Sequence, residues 1–260
     1  MDKDSYPSRY MSAMAPPYTN LADREAAGPL VIERAEGVRV YDTGGKAYIE
    51  GMSGLWCAAL GFSEQRLIDA ATKALERLPF YHSFGGKAPA PAIDLADKLL
   101  AMAPKPKSGP PFSKVLFANS GSEANDTAVK LIWYFNNALG RPQKKKIIAR
   151  RGAYHGVTVC SGSLSGIPFM HQDFDLPITP ILHTDCPNYY RFGNEGESEQ
   201  DFSTRLAENL ERLILREGPD TVAAFFAEPV MGAGGVAPPP VGYFAKVQKV
   251  LKKYDVLFVA

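Results

Sequence analysis

Residues 221–227, TVAAFFA, carry no charge and are closed by Glu228-Pro229. A run that apolar, at strand length, predicts a strand buried on both faces. Such a strand needs helices above and below it, which argues for a mainly parallel sheet in an α/β architecture. The second half of the chain has the matching rhythm. Residues 146–150 and 178–183 are further strand candidates, and the last residues, Val256-Leu257-Phe258-Val259-Ala260, are again of buried type. Between them, Phe202, Leu206, Leu210, Leu213 and Ile214 repeat at helical spacing behind a cap-like Ser198 and Asp201. Tyr243, Phe244, Val247, Val250, Leu251 and Tyr254 mark another amphipathic helix, and Lys252 and Lys253 near its end suit the helix dipole.

The stretch 114–135, KVLFANSGSEANDTAVKLIWYF, reads as strand, tight turn and helix. Val115, Leu116 and Phe117 are the strand, and Ala124, Ala128, Leu131, Ile132 and Phe135 lie one helical repeat apart. Ser120 and Glu123 have capping-box spacing. Free N–H groups and the positive end of the dipole point out of such a first turn, which suits a phosphate. Gly121 permits close approach, and Ser120 and Ser122 offer hydroxyls. A Ser-Gly-Ser turn is also commonly nothing more than a cap. Two further unusual turns, Tyr154-His155-Gly156 and Glu228-Pro229, follow strand candidates. Ligands of open α/β sheets bind at strand carboxyl ends, so the three turns are expected to line one crevice.

The first part of the chain is less regular. Residues 1–36 hold Pro7, Pro16, Pro17 and Pro29 and read as an irregular arm. A hairpin follows, with Val38, Val40 and Tyr41 leading to Thr43-Gly44-Gly45, and Ala47, Tyr48 and Ile49 leading back. Residues 51–62, GMSGLWCAALGF, form a glycine-rich apolar loop of the kind that is often functional. Leu67, Ala70, Ala71, Ala74, Leu75 and Leu78 predict a helix ended by Pro79. A second unusual loop spans 80–90, a helix about 91–102, and a Pro/Lys/Gly linker 104–111.

Composition excludes several classes. Twenty-nine basic and 28 acidic residues nearly cancel, so neither nucleic acid nor an anionic membrane is indicated as a partner. No apolar run approaches the length of a membrane span, and Met1-Asp2-Lys3-Asp4 has no signal-peptide core. Cys57, Cys160 and Cys186 are widely spaced, odd in number and without zinc-site spacing, which fits a reducing cytoplasm. No nucleotide P-loop, HExxH or GxSxG is present, and no metal site is expected. The glycines at 232–235 satisfy a relaxed dinucleotide pattern, but Pro238-Pro239-Pro240 stands where its helix should run. His82, His171 and His183 show no ligand spacing and read as structural hydrogen-bonders.

The motifs NSGSEAND at 119–126, RGAYHG at 151–156 and AEPVMGAGGV at 227–236 together resemble the class III aminotransferases, pyridoxal-phosphate enzymes of aspartate-aminotransferase fold. GLWC at 54–57 and HTDCPNYYR at 183–191 are similar to the branch that moves amino groups from amines or ω-amino acids to pyruvate or another 2-oxo acid. The resemblance runs in order along essentially the whole chain. It implies pyridoxal 5'-phosphate as cofactor, with small-molecule amine and 2-oxo acid substrates and a homodimer. It also implies that residues 1–60 are an N-terminal arm with part of a small α+β domain, and that 61–260 are an incomplete large domain. Residues implied at the cofactor are Ser120, Gly121 and Ser122 at the phosphate, Tyr154 stacked on the ring with His155 beside it, and Glu228 near the ring. Tyr18, Trp56, Phe84 and Ala233 match positions of the substrate pocket, with Phe84 reaching the neighbouring subunit's site. Every one of these residue types also occurs in ordinary cores and loops.

The family's catalytic lysine, which holds the cofactor as a Schiff base, and the aspartate at the ring nitrogen match no residue among the 260. On the resemblance both fall beyond residue 260. The chain is therefore expected to be the N-terminal part of a transaminase, inactive by itself, with a terminal strand at 255–260 prone to aggregation. The competing reading is a catalytically inert protein that keeps the fold for binding or interaction.

Overall fold

The computed structural model describes residues 4–106 and 109–260. Positions 107 and 108 of the expected linker, and the first three residues of the N-terminus, lie outside the described residues. The chain divides into two compact units, 1–113 and 114–260.

In the first unit, helices α1 (Tyr6–Ala13) and α2 (Leu21–Ala27) precede strand β1 (Ile32–Glu36), so residues 1–36 are not the irregular arm that the prolines suggest. Pro7 sits in the first turn of α1, where its missing N–H costs nothing, and Ser5 caps that helix. Asn20 caps α2 by accepting from Ala22 N–H at 3.1 Å. Strands β1, β2 (Arg39–Asp42) and β3 (Ala47–Ile49) form an antiparallel sheet in that order. Its β2–β3 turn is organised by Asp42, whose carboxylate accepts from Gly44 and Lys46 N–H at 2.9 Å each and from Tyr48 hydroxyl at 2.8 Å. These bonds hold the Asp42 carboxyl below its usual range, the Tyr48 bond most of all. Next come the single turn α3 (Ser53–Trp56), α4 (Gln65–Arg77) and α5 (Ala90–Met102).

The second unit is a four-stranded parallel sheet. Helix α6 (Gly121–Ala138) leads into β4 (Lys146–Arg150), the short helix α7 (Val159–Leu164) and β5 (Ile181–Thr184). The short helix α8 (Tyr189–Phe192), α9 (Glu199–Glu217), β6 (Val222–Phe226), α10 (Tyr243–Lys253) and β7 (Leu257–Val259) complete it. Strand order is β5-β4-β6-β7. Ile148, Val222 and Phe225 pack on one face with Phe202, Leu210 and Ile214 of α9 and Val247 and Leu251 of α10. Ile147, Ala149, Ala224 and Phe226 pack on the other with Val129 and Ile132 of α6 and Leu164 of α7. The register between β4 and β6 shifts after Lys146–Val222, so Ala223 and Ala224 both join the α6 face. Phe225, fully buried, contributes about 2–3 kcal/mol of apolar transfer. No helix among the described residues is long and apolar enough to cross a membrane.

Three local expectations change. Residues 115–117 are not in a strand, and Leu116 and Phe117 are exposed. An apolar triplet becomes a strand only where a neighbour supplies ladder hydrogen bonds, and none lies beside it among the described residues. The strand expected at 178–183 begins at Ile181, after Pro180. On α6 the buried stripe is Val129, Ile132 and Asn136, leaving Leu131 and Phe135 exposed. A polar Asn136, whose amide donates to Ile132 O at 2.9 Å, disguises that stripe in the sequence.

After α7 the chain returns against the end of β4. Gly166 N–H donates to Ala153 O at 2.8 Å and its carbonyl accepts from Gly152 N–H at 2.8 Å. A Cβ at Gly166 would stand 2.1 Å from the Arg150 carbonyl oxygen, where backbone has no room to yield. Gly166→Ala is expected to destabilise the chain by about 2–3 kcal/mol in urea unfolding; a midpoint equal to wild type would contradict the packing described.

Candidate functional site

Strand β4 connects to β5 on one side of the sheet, and its other neighbour β6 connects to β7 on the opposite side. The chain thus reverses its winding between β4 and β6, and the crevice outside their carboxyl ends is where open α/β sheets bind ligands. Arg150 ends β4 and is almost wholly buried. Its Nη2 donates to the Glu228 carboxylate at 2.9 Å and to the Glu228 backbone carbonyl at 2.7 Å. The rings of Tyr243 and Phe244 stand 5.9 and 5.8 Å from the guanidinium carbon. Burial pushes the Tyr243 phenol up to about 12, against the pull of Arg150.

The other Glu228 carboxylate oxygen accepts from Tyr154 N–H at 2.9 Å. His155 Nε2 lies 3.9 Å from the first oxygen, beyond hydrogen-bond reach, and is a buried nitrogen without a partner among the described residues. Its ring stands edge-on to Phe226, centroids 6.0 Å apart. Burial drives the His155 pKa down to about 4; Glu228 opposes the shift and Arg150 adds to it. His155 is therefore a neutral imidazole at pH 7.

The first turn of α6 meets the same loop, at Val157 and His155. Ser120 Oγ accepts from Glu123 N–H at 3.1 Å, as the cap spacing predicts. Glu123 reaches back one residue further than a capping box requires, accepting from Asn119 N–H at 2.8 Å and from its side-chain amide at 3.2 Å. Among the described residues the N–H groups of Gly121 and Ser122 donate to no protein acceptor. A Cβ built on Gly121 would meet open space, so the turn leaves room in front of those donors. The loop between β4 and α7 is tied to this turn. Val157 N–H donates to Ser122 Oγ at 3.1 Å, and Asn125 Nδ2 to His155 O at 2.6 Å. Gly156, at φ +133°, allows the approach: a Cβ there would lie 2.5 Å from Ser122 Oγ.

The structure thus brings Ser120, Gly121, Ser122, Tyr154, His155 and Glu228 to one end of the sheet. Tyr154 is held through its backbone and keeps its ring partly exposed. Ala233 is exposed at the tip of a loop closed by the Met231–Ala237 bridge, whose Gly234 packs on Gly152. Tyr18, Trp56 and Phe84 are all exposed and lie on three separate segments of the first unit. Tyr18 borders a cavity of about 360 Å³ with Tyr10, Asn20, Asp23 and Arg24. Trp56, at φ +66°, ends the α3 turn, in which Ser53, Gly54 and Leu55 also have positive φ. The Phe84 ring is 6.2 Å from that of His82. Sequence reading missed Arg150, Asn125, Asp126 and Ser165. Arg150 had a signal, a charge directly after the apolar run Ile147-Ile148-Ala149; Asn125 and Asp126 follow Ser122 at i+3 and i+4. Ser165, fully buried, accepts from His155 N–H at 2.8 Å.

The residues present fit a phosphate ester of an aromatic ring. Two unengaged N–H groups with space before them suit the phosphate, and the partly exposed Tyr154 ring suits the aromatic face. Among the described residues no cluster of His, Cys, Asp and Glu could hold a metal ion.

Comparison with known proteins agrees with this geometry. The model of the class-III aminotransferase family matches residues 21–260. A gamma aminobutyrate transaminase 1, mitochondrial, of Solanum lycopersicum is 59% identical over 247 residues, 95% of this chain and 47% of that protein. A vanillin aminotransferase of Capsicum chinense is 62% identical over 232 residues, 89% of this chain and 50% of that protein. The crystal structure of an omega transaminase from Pseudomonas jessenii in complex with PMP superposes with a TM-score of 0.95 at 56% identity, covering 98% of this chain and 55% of that one. The chain spans about half the length of the curated relatives it matches. A family match along 21–260, on a doubly wound sheet whose switch point holds the motif residues, shows that this chain belongs to the class-III aminotransferases.

Proposed function

We propose that this chain supplies the phosphate-binding half of a pyridoxal 5'-phosphate site in a transaminase that moves an amino group from an amine or ω-amino acid to pyruvate or another 2-oxo acid. The observation that carries this reading is the first turn of α6, with its two unengaged N–H groups, tied to the loop whose Tyr154 is held by Glu228. The names of the relatives, one a gamma aminobutyrate transaminase and one a vanillin aminotransferase, support a substrate whose reacting carbon, amine-bearing in the first and an aldehyde in the second, carries no carboxylate.

When bound, the pyridine ring of the cofactor supplies an electron sink for the substrate's Cα. The N–H groups of Gly121 and Ser122 and the Ser122 hydroxyl bind the phosphate. The Tyr154 ring covers one face of the heterocycle and excludes water there. Glu228 is fixed at both oxygens, by Arg150 on one and Tyr154 N–H on the other, so it acts as an oriented charge and holds the Tyr154 backbone in place. His155, neutral and buried against Phe226, adds no positive charge.

On this reading residues 1–60 are the arm with part of the small domain, and residues 61–260 belong to the large domain. Trp56, Phe84, Tyr18 and Ala233 line the substrate pocket, with Phe84 serving a second subunit. The exposure of Trp56, Phe84, Leu67 and Leu75 supports a homodimer, because apolar side chains so placed gain by association. Three free thiols support a reducing compartment, which we take to be the cytoplasm.

Titrating the chain with pyridoxal phosphate tests the central claim. Gly121→Val, whose side chain enters the open space before the donors, is expected to weaken binding at least about tenfold while changing the melting temperature by only about 2–3 °C, the cost of a β-branched residue in a first helical turn. Equal affinity of wild type and variant would sink the phosphate assignment. A second expectation concerns His155. Its pKa falls from 6.5 unfolded to about 4 folded, so between these values the unfolded chain binds more protons. Stability is fully present above pH 6.5 and declines as the pH falls toward 4, by on the order of 2–3 kcal/mol. His155→Asn is expected to flatten that slope in unfolding curves taken at pH 7 and 4.5; an unchanged slope would show that another group carries it.

A further inference from the structure

Helix α6 turns three side chains, Ser122, Asn125 and Asp126, toward the loop that carries Tyr154 and His155. Ser122 and Asn125 touch that loop directly. Asp126 does not. Its carboxylate oxygens each accept from Thr158 Oγ1 at 2.8 Å, and one of them also accepts from Ser161 N–H at 2.9 Å. It therefore grips the start of α7, immediately after Val157, whose N–H meets Ser122 Oγ. We propose that Asp126 is a positioning residue for phosphate binding: through Thr158 it fixes Val157 N–H on Ser122, and so leaves the Ser122 hydroxyl proton free to donate to an anion. The proposal rests on the reading of the α6 turn as the phosphate site.

The direction of every hydrogen bond in this cluster is set by the carboxylate. A carboxylate only accepts, so the single Thr158 hydroxyl proton goes to Asp126. The 2.7 Å contact between Thr158 Oγ1 and Ser161 Oγ must then use the Ser161 proton, with Thr158 accepting. Ser161 Oγ in turn accepts from Thr158 N–H at 3.2 Å. The ring of bonds has one polarity, and it holds residues 157–161 in one place. At Ser122 the consequence is chemical as well as steric. One lone pair of Oγ is taken by Val157 N–H at 3.1 Å, and the hydroxyl proton remains to be donated. There is little slack in the arrangement, since Gly156 leaves no space for a Cβ between Ser122 and Ser161. The negative charge of Asp126 is met by N–H and O–H donors on the α7 side, so it does not face the anion bare.

Thr158 offers the cleanest variants. Thr158→Ser keeps the hydroxyl donor, and Thr158→Val keeps the shape without it. Asp126→Leu keeps roughly the size and offers Thr158 and Ser161 no acceptor. The 260-residue chain is titrated with pyridoxal phosphate and, separately, with pyridoxal, each followed by absorbance. Wild type is expected to bind the phosphate ester at least about tenfold more tightly, since charge-assisted hydrogen bonds separate the two ligands. Thr158→Val and Asp126→Leu are expected to lose most of that preference while pyridoxal affinity stays within about twofold, and Thr158→Ser to retain it, because the hydroxyl that links Asp126 to the start of α7 is removed in the first and kept in the last. Loss of affinity for both ligands in parallel, or a preference that Thr158→Val leaves intact, would overturn the positioning role alone. A wild-type chain with no preference for the phosphate ester would sink the phosphate reading and the positioning role with it. If Asp126→Leu does not fold, the Thr158 pair decides.

Discussion

The second unit depends on one ion pair. Arg150 and Glu228 close the carboxyl ends of β4 and β6, the two strands between which the winding reverses. A buried guanidinium loses several kcal/mol of hydration, and it is tolerated only where geometry returns that loss. Here the return comes from two hydrogen bonds of 2.7 and 2.9 Å and from the aromatic rings of α10 beside it. The pair also fixes the turn at the end of each strand. Glu228 holds the Tyr154 backbone, Tyr154 precedes His155, and His155 O is held by Asn125 of α6. Cutting the pair on one side would strand a buried charge, which costs more than the pair contributes when whole.

Much of this was readable from residues alone. The uncharged run at 221–227 demanded cover on both faces, and α6, α7, α9 and α10 supply it. The helix following Ser120 begins where its cap spacing places it. Two of the three turns were foreshadowed by strand ends, since Tyr154-His155-Gly156 follows β4 and Glu228-Pro229 follows β6, whereas Ser120-Gly121-Ser122 follows no strand. What escaped were polar residues acting across long sequence distance. Arg150 and Glu228 are 78 positions apart, and Asp126 and Thr158 are 32 apart; no periodicity links such pairs. Asn136 misled the assignment of the α6 face for a related reason: it is buried although only its amide N–H finds a partner, in its own helix, while its Oδ1 has none among the described residues.

The first unit shows the opposite limit. Apolar spacing located α4 and α5, yet Leu67, Leu75 and Leu95 remain exposed and Val40 is the one buried apolar side chain among the described residues of that unit. Periodicity reports that a helix has an apolar face, not what the face packs against. The turn Ser53–Trp56 adds a second kind of departure. Left-handed backbone costs an L-residue about 1–2 kcal/mol, and only Gly54 of the four is exempt. Apolar loops without a period are where such conformations hide, because no helix or strand pattern constrains them.

The chemistry at the α6 turn has a single sign. Ser120 Oγ accepts from Glu123 N–H and Ser122 Oγ from Val157 N–H, so both hydroxyls keep a proton to donate. The N–H groups of Gly121 and Ser122 are donors as well. Two carboxylates stand close by, and either would repel an anion if left bare. Glu123 is held by the backbone and side-chain N–H of Asn119, and Asp126 by Thr158 and Ser161. Each acidic charge is thus turned to fastening a loop. What remains open is a surface of donors at the positive end of a helix, suited to a dianion and to little else. The same side chains that fix the fold of this turn thereby set which charge it can receive.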